Sequence, residues 1–226
     1  MANIILNGKT VVTQTGNDEP VLGSNVILGN DSLASATFPN GMIIGSEITF
    51  FNEITSYTQA SGANAGNYGL LEGLDIDDLT ITYTPKKTTS KLFISGAINF
   101  STSAAVYNVL RIKRSLNGAA YVMHEPVMNT DTAAMPGTNT RIGIASYSTN
   151  TLPTSGWHTM NLSFGFIDLN HISSVGQTVS YRPSHTYSGN DATTKTLYLN
   201  RNYYPTNDYG SHTQVSYIKI EEIEND

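Results

Sequence analysis

The side chains able to do chemistry are present in this chain, but their spacing does not fit the reactions they suggest. His124-Glu125 opens like the helix of a zinc protease, yet Met128 stands where the second histidine is required and Pro126 would break the helix. Asp75, Asp77 and Asp78 have the look of a calcium loop, but its glycine and its distant bidentate glutamate are missing. They are expected instead at a solvated strand entrance. Glu221, Glu222 and Glu224 offer carboxylates for glycoside hydrolysis, which needs two facing each other across a cleft. On a strand, adjacent residues point to opposite faces, so Glu221 and Glu222 cannot be that pair. There is no Gly-x-Ser-x-Gly elbow and no phosphate-binding glycine loop. The five histidines, His124, His158, His171, His185 and His212, lack metal-ligand spacing and are expected to be surface or packed residues. Asn30, Asn99 and Asn161 lie in Asn-x-Ser sequons, the latter two inside expected strands, and are taken as chance matches.

Aromatic residues carry the remaining functional signal. There are 13 tyrosines and one tryptophan. Tyr198, Tyr203, Tyr204, Tyr209 and Tyr217 cluster near the C-terminal end among Asn200, Arg201, Asn202, Asn207 and Asp208. Exposed tyrosines beside such partners can stack on sugar rings or enter protein interfaces. Tyrosine is equally a good strand residue, so each one has an ordinary structural explanation as well. Tyr203, Tyr204, Tyr209 and Trp157 are the candidate receptor-binding residues.

The elements that must position these residues read as strands. Leu79–Thr84 alternates Leu79, Ile81 and Tyr83 with threonines, the period of a half-buried strand. Pro85 ends it, and Lys86 and Lys87 are expected in solvent at a tight turn. Lys91–Phe100 follows, with Leu92, Ile94, Gly96 and Ile98 on one face. Met160, Leu162, Phe164 and Phe166 alternate most cleanly of all. Further strands are expected at Met42–Phe51, Val106–Arg114, Arg141–Ser146, Gln177–Tyr181, Thr196–Leu199 and Val215–Ile223. Asn117-Gly118 is a strong hairpin signal, with the chain returning at Ala120–Val122. The stretches 56–69 and 129–139 are loops by composition, and Pro153–Trp157 turns the chain. No apolar i, i+3, i+4, i+7 pattern outlasts two helical turns, so the chain is all-β, with about nine or ten strands in a jelly-roll sandwich.

Bulk properties narrow the function. The chain has 226 residues, enough for one sizeable core with an appendage. With no cysteine, neither disulfides nor a thiolate metal site is possible. Charged residues make up 13%, so Thr, Ser, Asn and Tyr must carry the surface. A net charge of −6 argues against a general nucleic-acid binder. No apolar run approaches the roughly 20 residues that span a bilayer, and MANIILNGK is unlike a signal peptide. The expectation is a protein that acts where it is made or leaves the cell inside a virus particle.

Residues 1–36 differ from the rest. Short apolar pieces containing Ile5, Leu6, Val11, Val12, Val26 and Leu28 are separated by turn residues, so no piece can fold alone. They are read as an attachment arm ordered by a partner or by sister chains. The alternative is an ordinary first strand with loose flanks.

Several short motifs, in one order, resemble the small virion proteins of tailed bacteriophages that carry a tumour-necrosis-factor-like jelly-roll knob. These are Thr84-Pro85-Lys86-Lys87 with Ser90-Lys91-Leu92, Val109-Leu110-Arg111-Ile112-Lys113-Arg114 before Asn117-Gly118 as a Leu-x-Arg hairpin, Leu199-Asn200-Arg201, and the closing strand Ser216–Ile223 with Glu222-Ile223. The resemblance covers residues 38–226; Gly41–Ile44 stands where the family commonly has His-x-x-Gln. With residues 1–36 read as the arm, it implies a knob over 37–226 that forms a homotrimer along a three-fold axis. It further implies docking on a capsid or tail protein through the arm, and contact with a host surface glycan or protein. The expected role is a tail fibre or receptor-binding knob on the outer surface of the virion. The alternatives are a capsid decoration protein, or a lectin-like or tumour-necrosis-factor-like binding module outside any virus. No enzymatic activity, cofactor, metal, nucleic acid or membrane insertion is expected.

Overall fold

The structure is a computed structural model. It describes residues 2–6, 9–14, 21–22, 39–59, 74–102, 107–124, 145–148, 159–188, 195–201 and 214–225. The chain divides into two units, Met1–Thr37 and Phe38–Asp226. In the first, β1 (Ala2–Leu6), β2 (Lys9–Gln14) and β3 (Val21–Leu22) form an antiparallel sheet in that order. Ile5 and Leu6 lie in β1, and Val11 and Val12 in β2. Val26 and Leu28 lie outside the described residues.

The second unit is a two-sheet sandwich of β4 (Ile43–Phe51), β5 (Thr55–Gln59), β6 (Leu74–Asp75), β7 (Ile81–Tyr83), β8 (Lys91–Thr102), β9 (Tyr107–Leu116), β10 (Val122–His124), β11 (Ala145–Ser148), β12 (Met160–Asp168), β13 (Val179–Ser188), β14 (Lys195–Leu199) and β15 (Ser216–Ile223). Several are pieces of one row. β4 and β5 line up against β15 and β14, and β15 and β14 share one edge of β8 over Lys91–Ala97 and Phe100–Thr102. β6 and β7 line up on β13, as β10 and β11 do on β9. Eight rows result. In chain order, the first pairs with the eighth (β4·β15), the second with the seventh (β7·β13), the third with the sixth (β8·β12) and the fourth with the fifth (β9·β10). That nesting is a long antiparallel hairpin rolled into two sheets, which is the jelly-roll wrap. One sheet runs β4–β15–β8–β12, the other β10–β9–β13–β7.

The core lies between the sheets. Alternation places Leu92, Ile94 and Ile98 of β8, Leu162, Phe164 and Phe166 of β12, and Ile218 and Ile220 of β15 on one wall. Leu110, Ile112, Val179 and Tyr181 face them from the other. Gly96 is required where three central strands crowd together, since a Cβ there would come within 2.7 Å of the Phe164 ring and 2.6 Å of the Tyr217 carbonyl.

Five expectations need correction. Leu79 does not begin a strand: Asp77–Leu79 is a single 3-10 turn that drops Leu79 into the core, and β7 starts at Ile81. β7 and β8 are not partners either, because the Pro85–Ser90 turn carries the chain from one sheet to the other. Lys86 and Lys87 are not solvated: the Lys86 Nζ donates to the Ile44 carbonyl at 2.6 Å, and Lys87 pairs with the buried Glu224 at 2.8 Å. The Asn117-Gly118 turn forms with positive φ at both residues, but the strand returns at Val122 rather than at Ala120. β13 runs past the expected Tyr181 to Ser188.

Candidate functional site

Because side chains alternate, each sheet has one outward face, and the two differ in chemistry. On the β4–β15–β8–β12 sheet the outward residues form three rows across the strands: Phe50–Tyr217–Ala97–Ser163, Ile48–Lys219–Ser95–Gly165 and Ser46–Glu221–Phe93–Ile167. Phe50 is 63% exposed, Ile48 40% and Ile167 48%. The Phe50 and Tyr217 rings lie 6.2 Å apart and tilted, forming one aromatic ridge. Beside it, Ala97, Ser95, Ser163 and Gly165 are small, and the outward Phe93 ring leans over Gly165, 3.1 Å from where a Cβ would stand. Lys219 and Glu221 neutralise each other at 2.7 Å, so these three rows present no unpaired charge.

The outward face of the other sheet is ionic. Asp75 on β6 binds Lys113 of β9 at 2.6 Å and Arg182 of β13 at 3.1 Å, and Arg182 also binds Asp77 at 2.7 Å. The Arg182 guanidinium covers the Tyr121 ring at 3.9 Å. Asp75 is therefore a half-buried ion-pair centre rather than a solvated strand entrance, while Asp77 and Asp78 are exposed.

Three buried polar anchors hold the apolar face in shape. At one end of β8, Leu92 is flanked in register by Glu222 of β15 and Asp168 of β12, all pointing inward. Glu222 is fully buried and accepts from the Lys86 amide (2.9 and 3.0 Å), the Lys87 amide (3.0 Å), the Ser90 hydroxyl (2.7 Å) and the Tyr83 hydroxyl (2.8 Å). The Tyr83 hydroxyl reaches it across Gly45, where a Cβ would collide with that oxygen. Burial and the nearby carboxylate push the Tyr83 phenol above its ordinary range. His171, buried, stands 3.4 Å from the Ser90 hydroxyl and 3.2 Å from the Lys87 carbonyl.

The second anchor crosses between the sheets. Asp168 accepts from the Tyr181 hydroxyl of β13 (2.6 Å), from Arg114 of β9 (2.8 Å) and from the Asn170 amide (3.0 Å). Burial acts to raise the Asp168 carboxyl, but the bonds from Tyr181 and Arg114 outweigh it and hold the group below its usual range. Burial, then the Asp168 charge, raises the Tyr181 phenol.

The third anchor ties the opposite end. Asn200 has a left-handed φ of 59° and is fully buried. Its side chain donates to the Phe51 and Glu53 carbonyls (2.8 and 3.0 Å) and accepts from the Ser216 hydroxyl (2.6 Å), while its amide donates to the Asn99 carbonyl (2.8 Å). Asn99 donates to the Val215 carbonyl and accepts from Asn161, so both strand sequon residues are engaged in the fold.

No protein-family model matches the chain, and no curated protein matches it in sequence. Among solved structures it is similar to that of the infectious bursal disease virus Gt strain (12% identity, 96% of this chain and 47% of that one, TM-score 0.35). It is likewise similar to the Gx strain (11%, 100% and 47%, TM-score 0.35) and to the VP2 subviral particle of the same virus (13%, 80% and 38%, TM-score 0.33). The chain spans about half the length of the first of these and less of the VP2 particle protein. The fold assignment rests on strand order and packing, not on these likenesses.

Of the residues singled out for chemistry, Glu221 pairs with Lys219 on the outward face, Asp77 meets Arg182, and Asp78 accepts from the Tyr57 hydroxyl. Glu222 and Asp168 lie in one row two strands apart, but each meets its donors inside the core. No cluster of three or more metal-ligating side chains occurs among the described residues. His171 and His185 are buried. Trp157, Tyr203, Tyr204 and Tyr209 lie outside the described residues. Sequence reasoning missed the apolar outward face because its aromatic ridge and small residues come from four strands far apart in the chain. Alternation in β12 and β15 was the available signal, and only the register joins the two.

Proposed function

We propose that this chain is a non-enzymatic structural protein of a tailed-phage particle: a trimeric surface knob with residues 1–36 as its docking arm. A tail-fibre or receptor-binding role is preferred to a decoration of the head. The observation that carries this reading is the contrast between the two outward faces. A sheet that presents Phe50, Ile48, Tyr217 and Ile167 beside a patch of small residues, with its central ion pair internally satisfied, is suited to burial against protein. On the ionic sheet the outward Arg111, Lys113, Ser115, Ser180 and Ser184 are already buried within the knob.

The aromatic ridge and the small residues occupy different halves of one face. A copy that sets its ridge on a neighbour's small-residue half leaves its own for the next, so association is head-to-tail, the kind of contact that forms a ring when the rotation between copies closes. The phage-knob resemblance supplies the number three. The motifs behind that resemblance are the anchors themselves: Lys86, Lys87 and Ser90 meet Glu222, and Asn200 meets Ser216. Trimerisation would also multiply weak host contacts made by the loops.

The test is native mass spectrometry and sedimentation equilibrium of the whole chain. A species of three times 24.4 kDa is expected, converted to monomer by Phe50→Glu without loss of β-sheet signal. A monomer for the unaltered chain at micromolar concentration would overturn the trimer. Labelled antibody against the knob should decorate intact phage particles, and deletion of residues 1–36 should leave a soluble trimer that no longer incorporates. Unlabelled particles, or incorporation without the arm, would overturn the virion reading.

A further inference from the structure

The pin around Asp168 contains one residue that does not join it. The His124 Nε2 stands 3.6 Å from the Asp168 carboxylate, beyond hydrogen-bonding distance, and is buried with no hydrogen-bond partner. The imidazole is held by packing instead, 5.6 Å from the Phe166 ring and 6.1 Å from the Tyr181 ring. His124 ends β10, a strand of three residues that pairs only with β9 among the described strands and begins at the exposed Val122. Short edge strands with few partners occupy the low end of local stability.

The charges facing the imidazole, among the described residues, are Asp168 from β12 and Arg114 from β9; Tyr181 of β13 adds a hydroxyl that donates to Asp168. Arg114 already neutralises Asp168 at 2.8 Å, so an imidazolium would gain little net attraction there and would be repelled by the guanidinium. It would also sit between two aromatic rings, away from water.

We propose that β10 is an acid-released edge flap, latched by neutral His124 between Phe166 and Tyr181 and freed when the imidazole takes up a proton and turns to solvent. Opening uncovers the edges of both rings. The titration runs the same way. Burial lowers the His124 imidazole from 6.5, Asp168 only partly opposes this, and Arg114 adds to it. The closed flap thus binds the proton less well than the open one. The open fraction rises as pH falls below 6.5, by up to about tenfold per pH unit, because opening takes up one proton.

Amide hydrogen exchange of the full chain, measured between pH 7.5 and 5.0 and expressed as protection factors, tests this. Protection at Val122–His124 should fall by up to about tenfold per unit below pH 6.5, while the β8 amides keep theirs. In His124→Phe, protection at the same amides should not depend on pH. Constant protection in the unaltered chain, or an equal fall in the variant, would overturn the proposal. If the variant fails to fold, the His124 ring resonance of the unaltered chain, assigned with His124→Gln, decides. A midpoint below 6.5 that tracks the loss of protection supports the latch, and one at or above 6.5 overturns it.

Discussion

Replacing Glu222 with glutamine keeps the shape of the side chain and removes its charge. Three donors converge on Oε1: the Lys86 and Lys87 amides and the Ser90 hydroxyl. The amide oxygen must take that position, which leaves the amide nitrogen facing the Tyr83 hydroxyl and the second contact of Lys86. A donor on a neutral rather than a charged acceptor loses about 1 kcal/mol, so the three lose about 3 kcal/mol together. Removing a buried charge recovers part of its desolvation cost, leaving a net loss of about 2 kcal/mol. Glu222→Ala orphans all four donor groups and should cost about 4 kcal/mol. Equilibrium urea unfolding at fixed protein concentration measures both, with tyrosine fluorescence as the signal. If Glu222→Gln unfolds within about 0.5 kcal/mol of the parent, as a surface substitution would, the carboxylate does not anchor β15 and the reasoning fails.

Asn200→Ala should lose about 3 kcal/mol from its three side-chain bonds and about 1 kcal/mol more from the left-handed backbone. Asn200→Gly should be milder by that last amount, and thermal unfolding of both variants checks the order. Burial drives His185 down to about 3 from 6.5. The folded form therefore binds this proton less well than the unfolded chain, so the contribution is complete above pH 6.5 and is lost progressively between 6.5 and 3, at up to about 1.4 kcal/mol per pH unit. His185→Phe should flatten the urea midpoint against pH across that window. Ile218→Asp places a charge in the fully buried centre of β15 and should cost about 4 kcal/mol or more; near-normal melting would remove β15 from the core.

The strands that face solvent on one side were legible in the sequence, because burial there imposes a period of two. Lys91–Phe100 and Met160–Phe166 occur where that period placed them, and the expected Val215–Ile223 begins one residue later, at Ser216. Leu79 misled because an apolar residue one step before a strand satisfies the same alternation, although a 3-10 turn delivers it to the core. Lys86 and Lys87 misled for another reason. Two lysines after a proline read as a solvated turn unless Glu222 and Glu224, more than 130 residues away, are known to lie above them. The Asp168–Tyr181–Arg114 pin was invisible for the same cause. Hydrophobic alternation identifies the face on which a residue lies but not its cross-sheet partner. The outward aromatic ridge and the small residues beside it share that limit, since each depends on which rows become neighbours.

The position of β15 has a consequence for biosynthesis. It is the last row of the knob to leave the ribosome, yet it lies between the first row and the third. Until Ser216–Ile223 emerges, β4 has no neighbour along most of its length, and β8 lacks the in-sheet partner that adds Ile218 and Ile220 to its wall of the core. A nascent chain therefore cannot complete this sheet progressively from its N-terminal side. Any transcript truncated ahead of Ser216 yields a split half-sandwich, exposed to proteases and to chaperone capture, rather than a shortened knob.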